Sequence, residues 1–159
     1  MNRPVAAFTQ TFRPDLFFIG RTAGSGEVRS RTGRLLKRCR ILTQGVPDEA
    51  FGAMHFDETY LYDDGEIDTL HWAIARDGAG ELSVSEITVV GHPKMRLEGP
   101  TWRIRFKRMG QAQVGGLALT YDAVFTAIEP DVVVKRAAVK LFGVTVAELT
   151  AFHRRIDAG

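Results

Sequence analysis

Between residues 22 and 154 turn-forming residues cut the chain about every dozen positions, and between the cuts apolar side chains alternate rather than recur at helical spacing. The cuts are Arg31-Thr32-Gly33, Gln44 to Asp48, Asp63-Asp64-Gly65, Asp77 to Gly80, Gly99-Pro100, Gly110 to Gly116, Glu129-Pro130-Asp131 and Gly143. They predict strands over 22–30, 34–44, 51–62, 66–76, 81–90, 94–98, 101–109, 117–129, 132–141 and 144–154. Helix is confined to a turn or two near Pro14 to Phe17 or Asp48 to Ala50. Sequential strands with short loops pair with their neighbours. The expected fold is therefore all-β: a single antiparallel up-and-down β-barrel of about eight to ten strands, with room for one small ligand.

In a barrel, sequence parity decides what lines the interior. Over Met54 to Arg76 one parity carries Met54, Phe56, Glu58, Tyr60 and Tyr62, then, past Asp63-Asp64-Gly65, Leu70, Trp72 and Ile74. A carboxylate and two phenols thus share a face with large apolar groups. Glu58 is the candidate proton-transfer residue, because burial raises a carboxyl pKa toward neutrality. The alternative is a structural Glu58 held by Arg136 or by tyrosine hydroxyls. Tyr60 and Tyr62 are candidates to hold or polarise a ligand oxygen, or simply fill the barrel; Phe56 and Trp72 are candidates to stack on the ligand.

Elsewhere the same alternation puts Arg103, Arg105 and Lys107 outside and Trp102, Ile104 and Phe106 inside. Tyr121 reads inward and Asp122 outward. Arg136 shares the face of Val132 and Val134, with Lys135 pointing away, and Glu148 and Thr150 share the face of Val146 and Phe152 as candidate polar lining.

Composition excludes more than it selects. The 159 residues fit one domain, residues 1–159, with 1–15 as an N-terminal extension, and a formal net charge of +2 demands no polyanionic partner. Arg34, Arg38 and Arg40 lack the interleaved outward aromatics of a nucleic-acid surface. The single Cys39 has no disulfide partner, and His55, His71, His92 and His153 show no metal-ligand spacing. Gly24-Ser25-Gly26 is not followed by the Lys-Ser/Thr of a phosphate loop, and no nucleophile elbow occurs. No cofactor or metal is expected. Thr9, Gln10, Thr11 and Arg13 interrupt any apolar leader segment, so a cytoplasmic protein, with no membrane or nucleic-acid partner and a homodimer as an open option, is the expectation.

Several motifs resemble a family of small bacterial proteins of unknown function with a lipocalin-like, calycin-type barrel. They are Gly20-(x5)-Gly26 with Arg31-x-Gly33, Asp57-Glu58-x-Tyr60-x-Tyr62-Asp63-Asp64-Gly65 with Trp72, and Phe142-Gly143-Val144 with Glu148-x-Thr150. Asp122 sits where the family carries an Asp-Asp-Trp-Met run, and Arg136 matches a strand arginine; the resemblance gives Asp122 a structured role despite its parity. Such proteins are usually exported lipoproteins, whereas this chain lacks that leader and an acylated cysteine. Where the pattern has two tryptophans this chain has Ser25 and Ala123, which opens volume for a ligand if both point inward. The family lysine before Phe-Gly is Leu141 here, with Lys140 one place earlier.

Two functions follow from this reading. One is cofactor-independent acid–base chemistry of lyase, isomerase or cyclase type on a small, largely apolar, aromatic molecule. In it Glu58, Tyr60 and Tyr62 are catalytic, and Phe56, Trp72, Tyr121, Asp122, Arg136, Glu148, Ser25 and Ala123 line the ligand. The other is passive binding in the same pocket. What discriminates them is whether Glu58 and the tyrosines converge on one void or satisfy each other in a filled core.

Overall fold

The structure, a computed structural model, describes residues 11–51, 53–109 and 116–156. A short helix α1 (Pro14–Phe17) precedes ten strands: β1 (Gly20–Ser30), β2 (Leu35–Asp48), β3 (Ala53–Tyr62), β4 (Ile67–Arg76), β5 (Leu82–Glu86), β6 (Lys94–Glu98), β7 (Thr101–Met109), β8 (Ala118–Glu129), β9 (Val132–Leu141) and β10 (Val144–Ile156). Except that the strand read over 81–90 ends at Glu86 in a turn at Ile87 and Thr88, the predicted strands and the all-β barrel match these elements. The cut at Gln44 to Asp48 does not, because β2 runs through Val46 and Pro47 to pair with β3, and the turn falls at Glu49–Phe51. The turn read at Gly110 to Gly116 lies almost wholly outside the described residues.

All ladders are antiparallel, in the order β5-β4-β3-β2-β1-β10-β9-β8-β7-β6. First and last strands pair through β1 and β10, from Arg21 opposite Ile156 to Ser30 opposite Ala147, which curls the meander into a nearly closed barrel. The remaining edge, between β5 and β6, has no ladder. It is bridged beyond β5, where the Val90 N–H donates to the Lys107 carbonyl at 2.8 Å. The β3–β4 turn needs glycine at Gly65, whose φ is +89°.

One end of the interior is filled by aromatics. Residues 1–15 read as an extension, yet Phe12 and Pro14 are buried, and with Phe17 and Phe18 they plug the barrel; residues 1–10 lie outside the described residues. Phe18 stacks on Phe56 with centroids 4.4 Å apart and packs edge-on to Phe125 at 6.0 Å. Trp102 closes the layer, fully buried against Phe125 at 5.0 Å. Gly45 makes the plug possible: a Cβ there would stand 1.9 Å from the Phe18 carbonyl oxygen. The opposite end is not filled by the described residues, and the functional groups lie between.

Candidate functional site

β3 and β4 present their side chains as alternation predicts. Met54, Phe56, Glu58 and Tyr60 are buried, Tyr62 is half-buried at the open end, and Leu70, Trp72 and Ile74 face them from β4. Glu58 is 1% exposed, and what it meets comes from β9. The Lys135 ammonium donates to Glu58 Oε2 at 3.2 Å and Oε1 at 3.3 Å, and also contacts the Tyr60 hydroxyl at short range. Trp72 Nε1–H donates to Glu58 Oε1 at 3.4 Å. Behind the carboxylate, His153 Nε2 lies 3.7 Å from Oε2, and its Nδ1 is 3.5 Å from Thr22 Oγ1, itself 2.6 Å from Thr43 Oγ1. The ammonium also sits 4.9 Å from the Phe125 ring centroid, a favourable placement for a cation shielded from water.

These contacts reverse the expected electrostatics of Glu58. Burial pushes its carboxyl up, but the Lys135 charge, helped by hydrogen bonds from Lys135 and Tyr60, outweighs that and holds it below the usual carboxylate range. Glu58 is an ionised, paired group and not a proton donor near neutrality. Burial and then the Glu58 charge push the Tyr60 hydroxyl well above its ordinary value. Burial also raises Tyr62 and Tyr121, so all three phenols stay protonated. His153, desolvated completely, is pushed down to about 4 and is neutral.

Above this cluster lies a cavity of about 140 Å³. Its floor is the Tyr60 hydroxyl and Lys135; Ala123, Leu70 and Phe106 are among its walls. Tyr121 stacks on Phe106 at 5.0 Å, and Tyr62 lies 6.0 Å from Tyr60 in the same orientation. A second ion pair stands at the open end. Arg108 of β7 donates from Nη1 to Asp68 Oδ2 at 2.8 Å and from Nη2 to Oδ1 at 3.0 Å, spanning the edge where the sheet lacks a ladder. Arg108 Nε also donates to Thr88 Oγ1 at 3.0 Å. Next to this pair Glu86 is buried and accepts hydrogen bonds from the His71 and Thr88 backbone N–H groups at 3.0 and 2.6 Å.

Several predicted lining residues are elsewhere. Arg136 is exposed, because β9 has the opposite phase: Val133, Lys135 and Ala137 point in. Val132-Val133-Val134 is apolar on both parities and sets no phase, and a register shift between Ala127 and Glu129 realigns β8 on β9. Glu148 is likewise exposed. On β10 Leu149, Ala151 and His153 face inward, Val146 and Phe152 outward, after a shift between Thr145 and Ala147. Ser25 is exposed beside Phe152, so of the two small replacements only Ala123, buried in the cavity wall, opens interior volume. Asp122 is on the outer face, as its parity indicates, with Lys140 Nζ 2.7 Å and Arg105 Nε 3.5 Å away. Lys135, His153, Asp68 and Arg108 were not among the predicted site residues. Asp68 and Arg108 do share parity with Leu70 and Phe106, a signal present in the sequence. Among the described residues no group of three or more His, Cys, Asp or Glu side chains is placed to hold a metal ion.

Fold and site together define an antiparallel up-and-down barrel with an aromatic-lined interior cavity floored by a buried ion pair. Residues 3–155 match the family described as "Protein of unknown function (DUF3833)", and the chain belongs to it. No curated protein matches the sequence. Among solved structures the chain is similar to the S-type phycobiliprotein lyase CPES from Guillardia theta, at 9% identity and a TM-score of 0.61, over 90% of this chain and 92% of that one. It also aligns with the β-barrel EF1p2_mFAP2b bound to DFHBI, at 11% identity and a TM-score of 0.49, over 88% and 94% of the two chains. The first likeness identifies the same barrel fold.

Proposed function

We propose that the barrel binds one small, largely apolar, ring-bearing molecule in the cavity between the Tyr60–Lys135 floor and the Tyr62–Tyr121 rim. The observation that carries this is an interior void whose apolar and aromatic walls converge on a few fixed polar groups. Its 140 Å³ is close to the roughly 150 Å³ of an engineered apolar cavity that admits benzene. Glu58 does not reach the void; it fixes Lys135 and Tyr60 as a polar floor, and the protonated Tyr62 and Tyr121 hydroxyls present hydrogen-bond donors to the ligand.

Titration with a panel of phenols and aromatic carbonyl compounds, followed by calorimetry, tests binding. Ala123→Phe is expected to fill the cavity and weaken any bound compound by about tenfold or more while the fold persists. Undiminished binding in that variant would place the ligand elsewhere. A second reading, turnover of lyase, isomerase or cyclase type, is favoured by one contact: the Tyr60 oxygen helps hold the Lys135 ammonium at the cavity floor, where that cation can stabilise negative charge developing on a ligand oxygen. If bound compounds return unchanged from wild type, passive binding is the function. If they are converted and Tyr60→Phe stops conversion without loss of binding, the turnover reading stands.

A further inference from the structure

We infer that the ligand is an uncharged aromatic molecule bearing a hydrogen-bond-accepting oxygen, and that the cavity rejects its anionic and cationic counterparts. This deepens the binding reading above and rests on it. Among the described residues two cations face the interior, and each is already matched. Lys135 is held by Glu58 at 3.2 Å, and Arg108 is held by Asp68 through two hydrogen bonds of 2.8 and 3.0 Å. A third carboxylate, Glu86, lies within electrostatic reach of Arg108 and is held by backbone N–H groups.

An entering carboxylate would lose its hydration beside Asp68, with Glu58 and Glu86 behind the wall, and find no unmatched cation among the described residues of the wall. To gain one it would have to displace Glu58 or Asp68 from its partner. An entering ammonium meets Lys135 at the floor and Arg108 at the rim. The polar atoms offered to the void are mainly donors, from the protonated Tyr62 and Tyr121 hydroxyls and from the Arg108 N–H groups beyond those held by Asp68 and Thr88, so a neutral acceptor oxygen complements them without breaking a pair. Because the three tyrosines remain protonated, they add no charge that would change this balance.

Calorimetric titration of the intact protein at neutral pH with benzamide, benzoate and benzylammonium tests the inference, since the three share a ring and differ in charge. Benzamide is expected to bind at least about tenfold more tightly than either ion. Asp68→Asn leaves Arg108 unmatched at the rim, and the benzoate-to-benzamide affinity ratio is expected to rise about tenfold or more, with unchanged circular dichroism. If benzoate or benzylammonium equals or exceeds benzamide in wild type, or a folded Asp68→Asn protein leaves the ratio unmoved, the charge inference is wrong while binding stands. If neither these three nor any phenol binds, the binding reading itself fails. Should Asp68→Asn not fold, the wild-type ratios alone decide.

Discussion

Lys135→Met is expected to lower the unfolding free energy at neutral pH by about 3–5 kcal/mol, the usual consequence of stranding a buried carboxylate. Methionine keeps the length of the apolar stem, so little packing is lost, but Glu58 remains 1% exposed with the Lys135 cation gone. The double variant Glu58→Gln/Lys135→Met is expected to recover most of the deficit, because it removes both charges together. The deficit should also depend on pH in a defined direction. In wild type Glu58 titrates below its unfolded value, so the stability it contributes is complete above the unfolded pKa and is lost as pH falls through the folded one. Without Lys135, burial dominates and the folded pKa is raised, so a stranded carboxylate recovers by protonation as pH falls. The two proteins should converge in acid. Denaturant titrations across that range would refute this account if the deficit at neutral pH were under 1 kcal/mol, roughly the size of an exposed ion pair, or did not shrink on acidification.

The second large effect concerns His153, which is fully buried beside Glu58, Lys135, Thr22 and the rings of Phe18 and Phe125. Its folded pKa of about 4 lies below the 6.5 of a free imidazole. The unfolded chain therefore takes up this proton first, and stability that is complete above 6.5 is lost as pH falls toward about 4. The loss amounts to about 3 kcal/mol for a difference of this size. His153→Phe, which keeps an aromatic ring between Phe18 and Phe125, is expected to remove that part of the slope and leave the carboxylate-linked part below it. Parallel slopes for the two proteins between pH 6.5 and 4 would show that the imidazole is not held neutral.

The sequence is most legible where one parity is apolar and the other is not. β3, β4 and β7 meet that condition, and Phe56, Glu58, Tyr60, Trp72 and Trp102 all lie where alternation puts them. β9 and β10 do not meet it. Val132 to Val134 offers apolar side chains to both faces, and so do Val146, Leu149 and Phe152, so phase there is set by register shifts that leave no local mark. Alternation with Val132 and Val134 puts Lys135 outward and Arg136 inward, the reverse of what the fold does, and the inward ammonium carries a desolvation cost. That cost is offset chiefly by Glu58, 77 residues away, a pairing visible in three dimensions but not along the chain. The same holds for Asp68 and Arg108, 40 residues apart. Phe12 and Phe18 carry no local signal that they dock into the barrel; the space that receives them is made by Gly45 and by the rings of Phe56 and Trp102.

The aromatic plug makes the barrel a cup rather than a tube. A molecule that enters past Tyr62, Tyr121 and Arg108 comes to rest on the Tyr60–Lys135 floor, with Phe18, Phe56 and Trp102 packed solid beneath. It must leave by the way it came, the end that went in first coming out last. Depth therefore acts as a ruler: a compact ring seats fully, while a long acyl chain reaches bottom and leaves most of its length in water.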